Sequence, residues 1–229
     1  MSARARKALA KADPKMGALI ERIGELDLET RLARRAEERP ADAYGALLRA
    51  IVGQQLSTKA ARTIYLRVLD LFGGTTPSPA QLLEASEEDL RGAGLSGRKV
   101  EYIRDLARHV LAGELELDRL EELDDEAAIE EIVAVRGLGR WTAEMFLIFR
   151  LQRPDVLPLN DLGIVNAIRK AYGLRKTPTP DRMRKLGEAW RPYRSVACWY
   201  LWRSLDNEPV KVPLLARRRA QPSGREKSV

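Results

Sequence analysis

The sequence predicts an all-α protein. Two observations carry that reading: apolar residues recur at steps of three and four in segments closed by glycine, and no stretch alternates apolar with polar residues long enough to form a strand. The best strand candidate, Val156-Leu157-Pro158-Leu159, is interrupted by a proline that a central strand would not tolerate. In 58–72, Ala61, Ile64, Val68, Leu71 and Phe72 share one face, and Gly73-Gly74 stops the helix. In 98–112, Val100, Ile103, Ala107, Val110 and Leu111 repeat the pattern as far as Gly113. Further helices are expected at about 15–38, 42–55, 79–84, 87–93, 125–135, 140–150, 161–172, 180–190 and 192–205. Ser86-Glu87-Glu88-Asp89 is read as a capping box. Residues before 15 read as a polar start. The stretch from Pro209 onward, with Arg217-Arg218-Arg219, reads as a partly disordered basic tail, either solubilising or phosphate-binding.

Charge narrows the partners. The 229 residues hold 40 Lys and Arg against 33 Asp and Glu, so the formal net charge is +7 and a polyanion is the favoured partner. The length suits one large domain or two small ones. One cysteine, Cys198, excludes an internal disulfide framework and a four-cysteine iron–sulfur cluster held by this chain alone. One histidine, His109, excludes a multi-histidine zinc site. No segment approaches the roughly 18 to 20 apolar residues of a membrane span, and the basic N-terminus lacks the apolar core of a secretory signal. A cytoplasmic location with no membrane partner is therefore expected.

The most informative stretch is IVAVRGLGRWTAEMF, 132–146. Two helical patterns flank Gly137-Leu138-Gly139, a connection that leaves room only for a tight hairpin. Glycines there permit positive φ and close approach of another surface. The amides of Gly137 to Arg140, at the start of the next helix, can face an anion with the helix dipole behind them, and Arg140 adds charge. A glycine helix cap followed by an ordinary turn would read the same way. A shorter hairpin, 92–99, is either a second phosphate contact or a plain helix connection.

The string Gly137-Leu138-Gly139-Arg140-Trp141-Thr142-Ala143, followed about twenty residues later by Asp161 in LPLNDLGIV, resembles the hairpin and aspartate of the helix-hairpin-helix DNA glycosylases. AIVGQQLSTKAARTIYLRVLDLFG, 50–73, and WRPYRSVACWYLW, 190–202, are similar to the 3-methyladenine DNA glycosylase II branch of that superfamily. Too few residues precede Gly53 for the extra α/β domain of the bacterial type member, so the compact all-α form is expected. The resemblance implies two helical subdomains flanking a DNA-binding cleft: a six-helix barrel over 42–153 with the helix-hairpin-helix at 132–146, and a second subdomain from 1–41 plus 154–208, followed by the tail at 209–229.

It also implies roles. Asp161 is the candidate catalytic carboxylate, placed at or near a helix N-terminus, where an ordinary N-cap aspartate is the competing reading. Trp141, Met145 and Trp202 would line the base pocket, with core packing as the alternative for the two tryptophans. Met145 stands where the bacterial relative has tyrosine. An electron-rich indole attracts a cationic alkylated purine by about 0.5 to 2 kcal/mol. Bifunctional members carry a lysine at the position of Trp141, so a monofunctional enzyme is expected. Leu56 is the favoured wedge into the base stack and Gln55 the alternative, with Gln54 and Ser57 beside the minor groove. Gly137, Gly139, Arg140 and Thr142 would meet DNA phosphate. The carbonyls of Val133, Val135 and Leu138 would hold a structural Na+ or K+, and no cofactor is expected for the chemistry. The expected partner is double-stranded DNA containing a damaged base, and the protein is expected to be a monomer. The competing functions are a non-enzymatic lesion-sensing DNA binder, and a glycosylase for uracil, mismatched or oxidised bases.

Overall fold

The computed structural model describes residues 3–26 and 42–206, and within them every regular element is a helix. The chain begins with α1 (Ala3–Ala12) and α2 (Pro14–Ile23). It continues through α3 (Ala43–Gly53), α4 (Thr58–Asp70), α5 (Pro79–Glu84), α6 (Glu87–Gly92) and α7 (Gly97–Leu111). After a 3-10 turn at Arg119–Glu121 come α8 (Asp125–Ala134), α9 (Arg140–Phe149), α10 (Leu162–Ala171), α11 (Pro180–Glu188) and α12 (Arg194–Arg203).

The polar start proves to contain a helix. Ala5 and Leu9 of α1, one turn apart, are buried, and the helix was hidden because only these two apolar positions mark its inner face. The helix expected over 15–38 is broken early: α2 ends at Ile23, where Gly24 turns with φ +76°. The rest of that expectation from 27 on, and the basic tail, lie outside the described residues. Side chains start most helices, with Asp13, Asp42, Ser57, Ser78, Ser86, Ser96, Asp124, Asp161 and Thr179 accepting first-turn amides. The reciprocal capping box is at Ser78 and Gln81, not at Ser86. At Ser86 the hydroxyl accepts from the Asp89 amide but donates to the Asp89 carboxylate, because aspartate is too short to reach back to the N-cap amide.

Two hydrophobic cores result. One takes Leu47, Leu48 and Ile51 of α3, Val68 of α4, Ile103 and Leu106 of α7, Ile132 of α8 and Leu147 of α9. The other joins the two ends of the described chain: Leu9 of α1, Met16 and Leu19 of α2, Ile164 and Ile168 of α10, Met183 of α11, Trp190, and Tyr200 and Leu201 of α12. Each fully buried side chain of this size contributes about 1.5 to 3 kcal/mol relative to exposure. Asp13 ties the second core together. It caps α2 through the amides of Lys15 and Met16, and its other oxygen accepts from the Tyr172 hydroxyl and, at 3.0 Å, from Trp190 Nε1. Trp202 packs against both cores, at their junction, beside an open cleft.

Candidate active site

The hairpin between α8 and α9 is built around a glycine that cannot be replaced. Gly137 has φ +89°, and a Cβ there would come within 2.3 Å of the Tyr102 ring of α7. Gly139 differs: its φ is −99°, and among the described residues no atom beyond its chain neighbours lies within 4 Å of where its Cβ would be, so its face is open there. It is the N-cap of α9 and offers no side chain, which leaves the first-turn amides of α9 uncapped. Thr142 sits in that turn and lines the cleft.

Arg140 does not project its charge outward from this turn. Its guanidinium makes two bonds to Glu126 at the start of α8, at 2.6 and 2.9 Å, and a third from Nε to Glu144 Oε1 at 3.2 Å. The guanidinium read as a phosphate partner is thus engaged by two carboxylates and clamps α8 to α9. The cause is Glu144, which is only 4% exposed and needs a counter-charge. Burial pushes its carboxyl up to about 7, against the pull of Arg140 and with added repulsion from Glu126 and Asp161. Glu144 Oε2 has no hydrogen-bond partner among the described residues.

On the other side of α9 lies a cleft of about 830 Å³ between the two cores. Trp141, Met145, Trp202 and Asp161 all line it, together with Phe149 and Trp199, which sequence reading missed. Phe149 lies one turn beyond Met145 on the same face, a signal available in the helical spacing. Its ring stacks on Trp202 at 5.5 Å between centroids, and Trp199 meets both rings edge-on.

Asp161 sits at the wall of this cleft, 9% exposed, as the N-cap of α10. Its Oδ1 accepts from the Ile164 amide at 2.8 Å and from Trp202 Nε1 at 2.9 Å. Its Oδ2 accepts from Trp141 Nε1 at 2.9 Å. The N-cap reading and the cleft reading of Asp161 are therefore both true of the same side chain, and the three donors suit the acceptor-only chemistry of a carboxylate.

The loop between α3 and α4 forms the facing rim. Gln55 adopts φ +57°, which is uncommon for a residue with a Cβ, and Leu56 next to it is 37% exposed; both line the cleft. Gln54 lines it too, but its amide donates to the carbonyl of Gly137 at 2.8 Å and so joins this loop to the hairpin. Ser57 is spent partly as the N-cap of α4, accepting from the Ala60 amide. The shorter hairpin at 92–99 is an internal brace: Lys99 Nζ reaches the Val52 carbonyl at 2.6 Å, just before the rim loop.

Of the three carbonyls singled out for a cation, those of Val133 and Val135 lie at the negative end of α8, and that of Leu138 lies in the hairpin just before Gly139, the N-cap of α9. Val135 O already accepts from the Leu138 amide at 3.1 Å, while those of Val133 and Leu138 accept no backbone hydrogen bond among the described residues. A free carbonyl at a helix C-terminus, here that of Val133, suits a monovalent cation.

Solved structures share this architecture. The chain is similar to a DNA-3-methyladenine glycosidase from Bacillus halodurans, with 38% identity, a TM-score of 0.78 and 89% of each chain covered. It is also similar to the 3-methyladenine DNA glycosylase Mag1 of Schizosaccharomyces pombe in complex with abasic DNA, with 32% identity, a TM-score of 0.72, and 88% of this chain and 96% of that chain covered. In sequence it is 37% identical over 132 residues to DNA-3-methyladenine glycosylase 1 of Schizosaccharomyces pombe, covering 57% of this chain and 58% of that one. The chain spans about half the length of the curated relatives it matches. Residues 48–192, which contain the rim loop, the hairpin, Trp141, Met145, Phe149 and Asp161, match the HhH-GPD superfamily of base excision DNA repair proteins, and the chain belongs to that superfamily.

Proposed function

We propose that the protein is a monofunctional DNA glycosylase that removes alkylated purines of the 3-methyladenine and 7-methylguanine type from double-stranded DNA. The observation that carries this reading is the carboxylate of Asp161 on the wall of an aromatic cleft, hydrogen-bonded by the indoles of Trp141 and Trp202. An alkylated purine is cationic and already a good leaving group, so neutral aromatic faces can select it and no strong general acid is required. As the C1′–N bond breaks, its electron pair leaves with the base, which becomes neutral, and the sugar takes on oxocarbenium character. Asp161 stabilises that charge. The oxygen of a water bonds to C1′, and the water proton passes to the carboxylate and then to solvent. The product is an abasic site.

The remaining parts serve extrusion and grip. Leu56 fills the space vacated by the flipped base, which costs least to extrude where the base is already damaged. The uncapped amides of α9 bind phosphate at the open face of Gly139, and the carbonyls of Val133, Val135 and Leu138 would hold a Na+ or K+, which would supply positive charge toward the DNA backbone. Trp141 and the absence of lysine from the described cleft lining support the lack of strand cleavage, because an imine at C1′ needs an amine nucleophile.

The test is release of base from duplexes carrying a single lesion, with Asp161→Asn as the control and borohydride trapping alongside. Base release that Asp161→Asn abolishes, with no trapped adduct, is the expected result. Binding without release from any alkylated duplex would leave a lesion-sensing binder, and a trapped adduct would refute the monofunctional assignment.

A further inference from the structure

The three donors on Asp161 are shared unequally between its oxygens. A carboxylate offers about four lone-pair sites, two on each oxygen. Oδ1 uses both, on the Ile164 amide and the Trp202 indole, whereas Oδ2 accepts only from Trp141 among the described residues and keeps one site open.

A second observation bears on the same oxygen. Gly163, in the first turn of α10, has no left-handed backbone to explain it, since its φ is not among the positive ones. A Cβ there would lie 3.0 Å from Asp161 Oδ1, 3.0 Å from Trp202 Cδ1 and 3.2 Å from Trp202 Nε1. Even an alanine methyl would therefore press on the Oδ1 to Trp202 hydrogen bond itself, and carboxylate or indole would have to yield by a few tenths of an ångström.

Resting on the assignment of Asp161 as the catalytic carboxylate, we propose that Gly163 and Trp202 are positioning residues that lock Oδ1, leaving Oδ2 as the oxygen that faces C1′ and takes the water proton. Trp202 then does more than wall the base: its N–H sets the rotation of the carboxylate. Gly163 supplies the space that lets it do so. Small misplacement of a reacting group has large kinetic cost, so an error of a few tenths of an ångström at Oδ1 swings Oδ2 off its line to the sugar.

The experiment compares Gly163→Ala, Trp202→Phe, the double variant and Asp161→Asn on a duplex with one 7-methylguanine. It measures the single-turnover rate at saturating protein, the Kd for a duplex carrying a tetrahydrofuran abasic analogue, and the melting temperature. Alanine favours helix over glycine, so Gly163→Ala should melt no lower than wild type. Its rate should nevertheless fall roughly tenfold or more, with Kd within about twofold. Phenylalanine removes the donor on which the alanine methyl would press, so the double variant should lose less than the product of the two single losses. A wild-type rate for Gly163→Ala, or multiplicative losses in the double variant, would overturn the proposal. If Gly163→Ala melts lower, Trp202→Phe decides: a rate loss at unchanged Kd supports positioning, and an unchanged rate refutes it. Full activity of Asp161→Asn would instead remove the assignment on which the proposal stands.

Discussion

Glu144→Gln should make the protein more stable at pH 8 while leaving it no more stable at pH 4.5. Glu144 is almost fully buried and its carboxyl is pushed up to about 7 from an ordinary 4.5, burial being the first cause. The folded state therefore binds this proton more tightly than the unfolded state does. The stability it contributes is complete below about 4.5 and is lost as pH rises through about 7. At about 1.4 kcal/mol per unit, that loss is on the order of 3 kcal/mol. Glutamine keeps an acceptor for Arg140 Nε and carries no charge, so its cost or gain at Oε2 is the same at every pH. Urea unfolding of both proteins from pH 4.5 to 8 isolates the effect, because every other titrating group is common to both. The difference in unfolding free energy, variant minus wild type, should climb by about 3 kcal/mol across that window and then level off. A flat difference would show that Glu144 titrates normally and that the Arg140 clamp carries its charge without penalty.

Gly137→Ala should abolish tight binding to abasic-analogue DNA and lower the melting temperature, because the new methyl would sit 2.3 Å from the Tyr102 ring at a left-handed φ; unchanged binding by fluorescence anisotropy would refute it. Gln54→Leu removes the donor to the Gly137 carbonyl, and its single-turnover rate should fall several-fold, corresponding to about 0.5 to 1.5 kcal/mol for a neutral hydrogen bond, whereas a wild-type rate would count against the link between rim loop and hairpin. Asp13 is held below its usual range: burial alone would raise it, but the bonds from Tyr172, Trp190 and the amides of Met16 and Lys15 prevail. Its contribution is present above about 3.8 and is lost as pH falls through the lower folded value, so Asp13→Asn should cost about 1 to 3 kcal/mol at neutral pH and progressively less below pH 4 in urea titrations.

How much of this was legible in the sequence depended on whether the signal was local. Helices with four or five apolar residues on one face, such as α4 and α7, announced themselves, and all-α was the correct class. Helix α1 did not, because Ala5 and Leu9 gain meaning only against a core that joins α2 to residues such as Ile164, Trp190 and Tyr200, more than 150 positions away. The same limit applied at the cleft. Spacing and resemblance singled out Trp141, Asp161 and Trp202, which the structure does bring together, but nothing local says that both indoles donate to the one carboxylate. Glycines were the least transparent. Gly137 and Gly139 read alike and Gly163 carried no signal, yet the first avoids a ring, the second leaves a face open and the third leaves room for a hydrogen bond.

Arg140 shows how a correct motif can mislead about a side chain. An arginine in the first turn of a helix whose amides face an anion looks like one more positive charge for that anion. Its placement at i to the buried Glu144 at i+4, with the exposed Glu126 within reach across the hairpin, gives it two carboxylate partners, one of which burial makes costly to leave unpaired. With the Arg140 guanidinium held by Glu126 and Glu144, the proposed phosphate contact at this turn is left to backbone amides at a glycine with no side chain over it. Amides cannot swing toward a ligand as an arginine can, so their aim is fixed by the angle between α8 and α9. The bonds from Arg140 on α9 to Glu126 on α8 help to hold that angle. As a clamp between α8 and α9, Arg140 should on replacement by alanine lower the melting temperature as well as the affinity for abasic-analogue DNA, whereas a residue that only met phosphate would lower the affinity and the salt dependence alone.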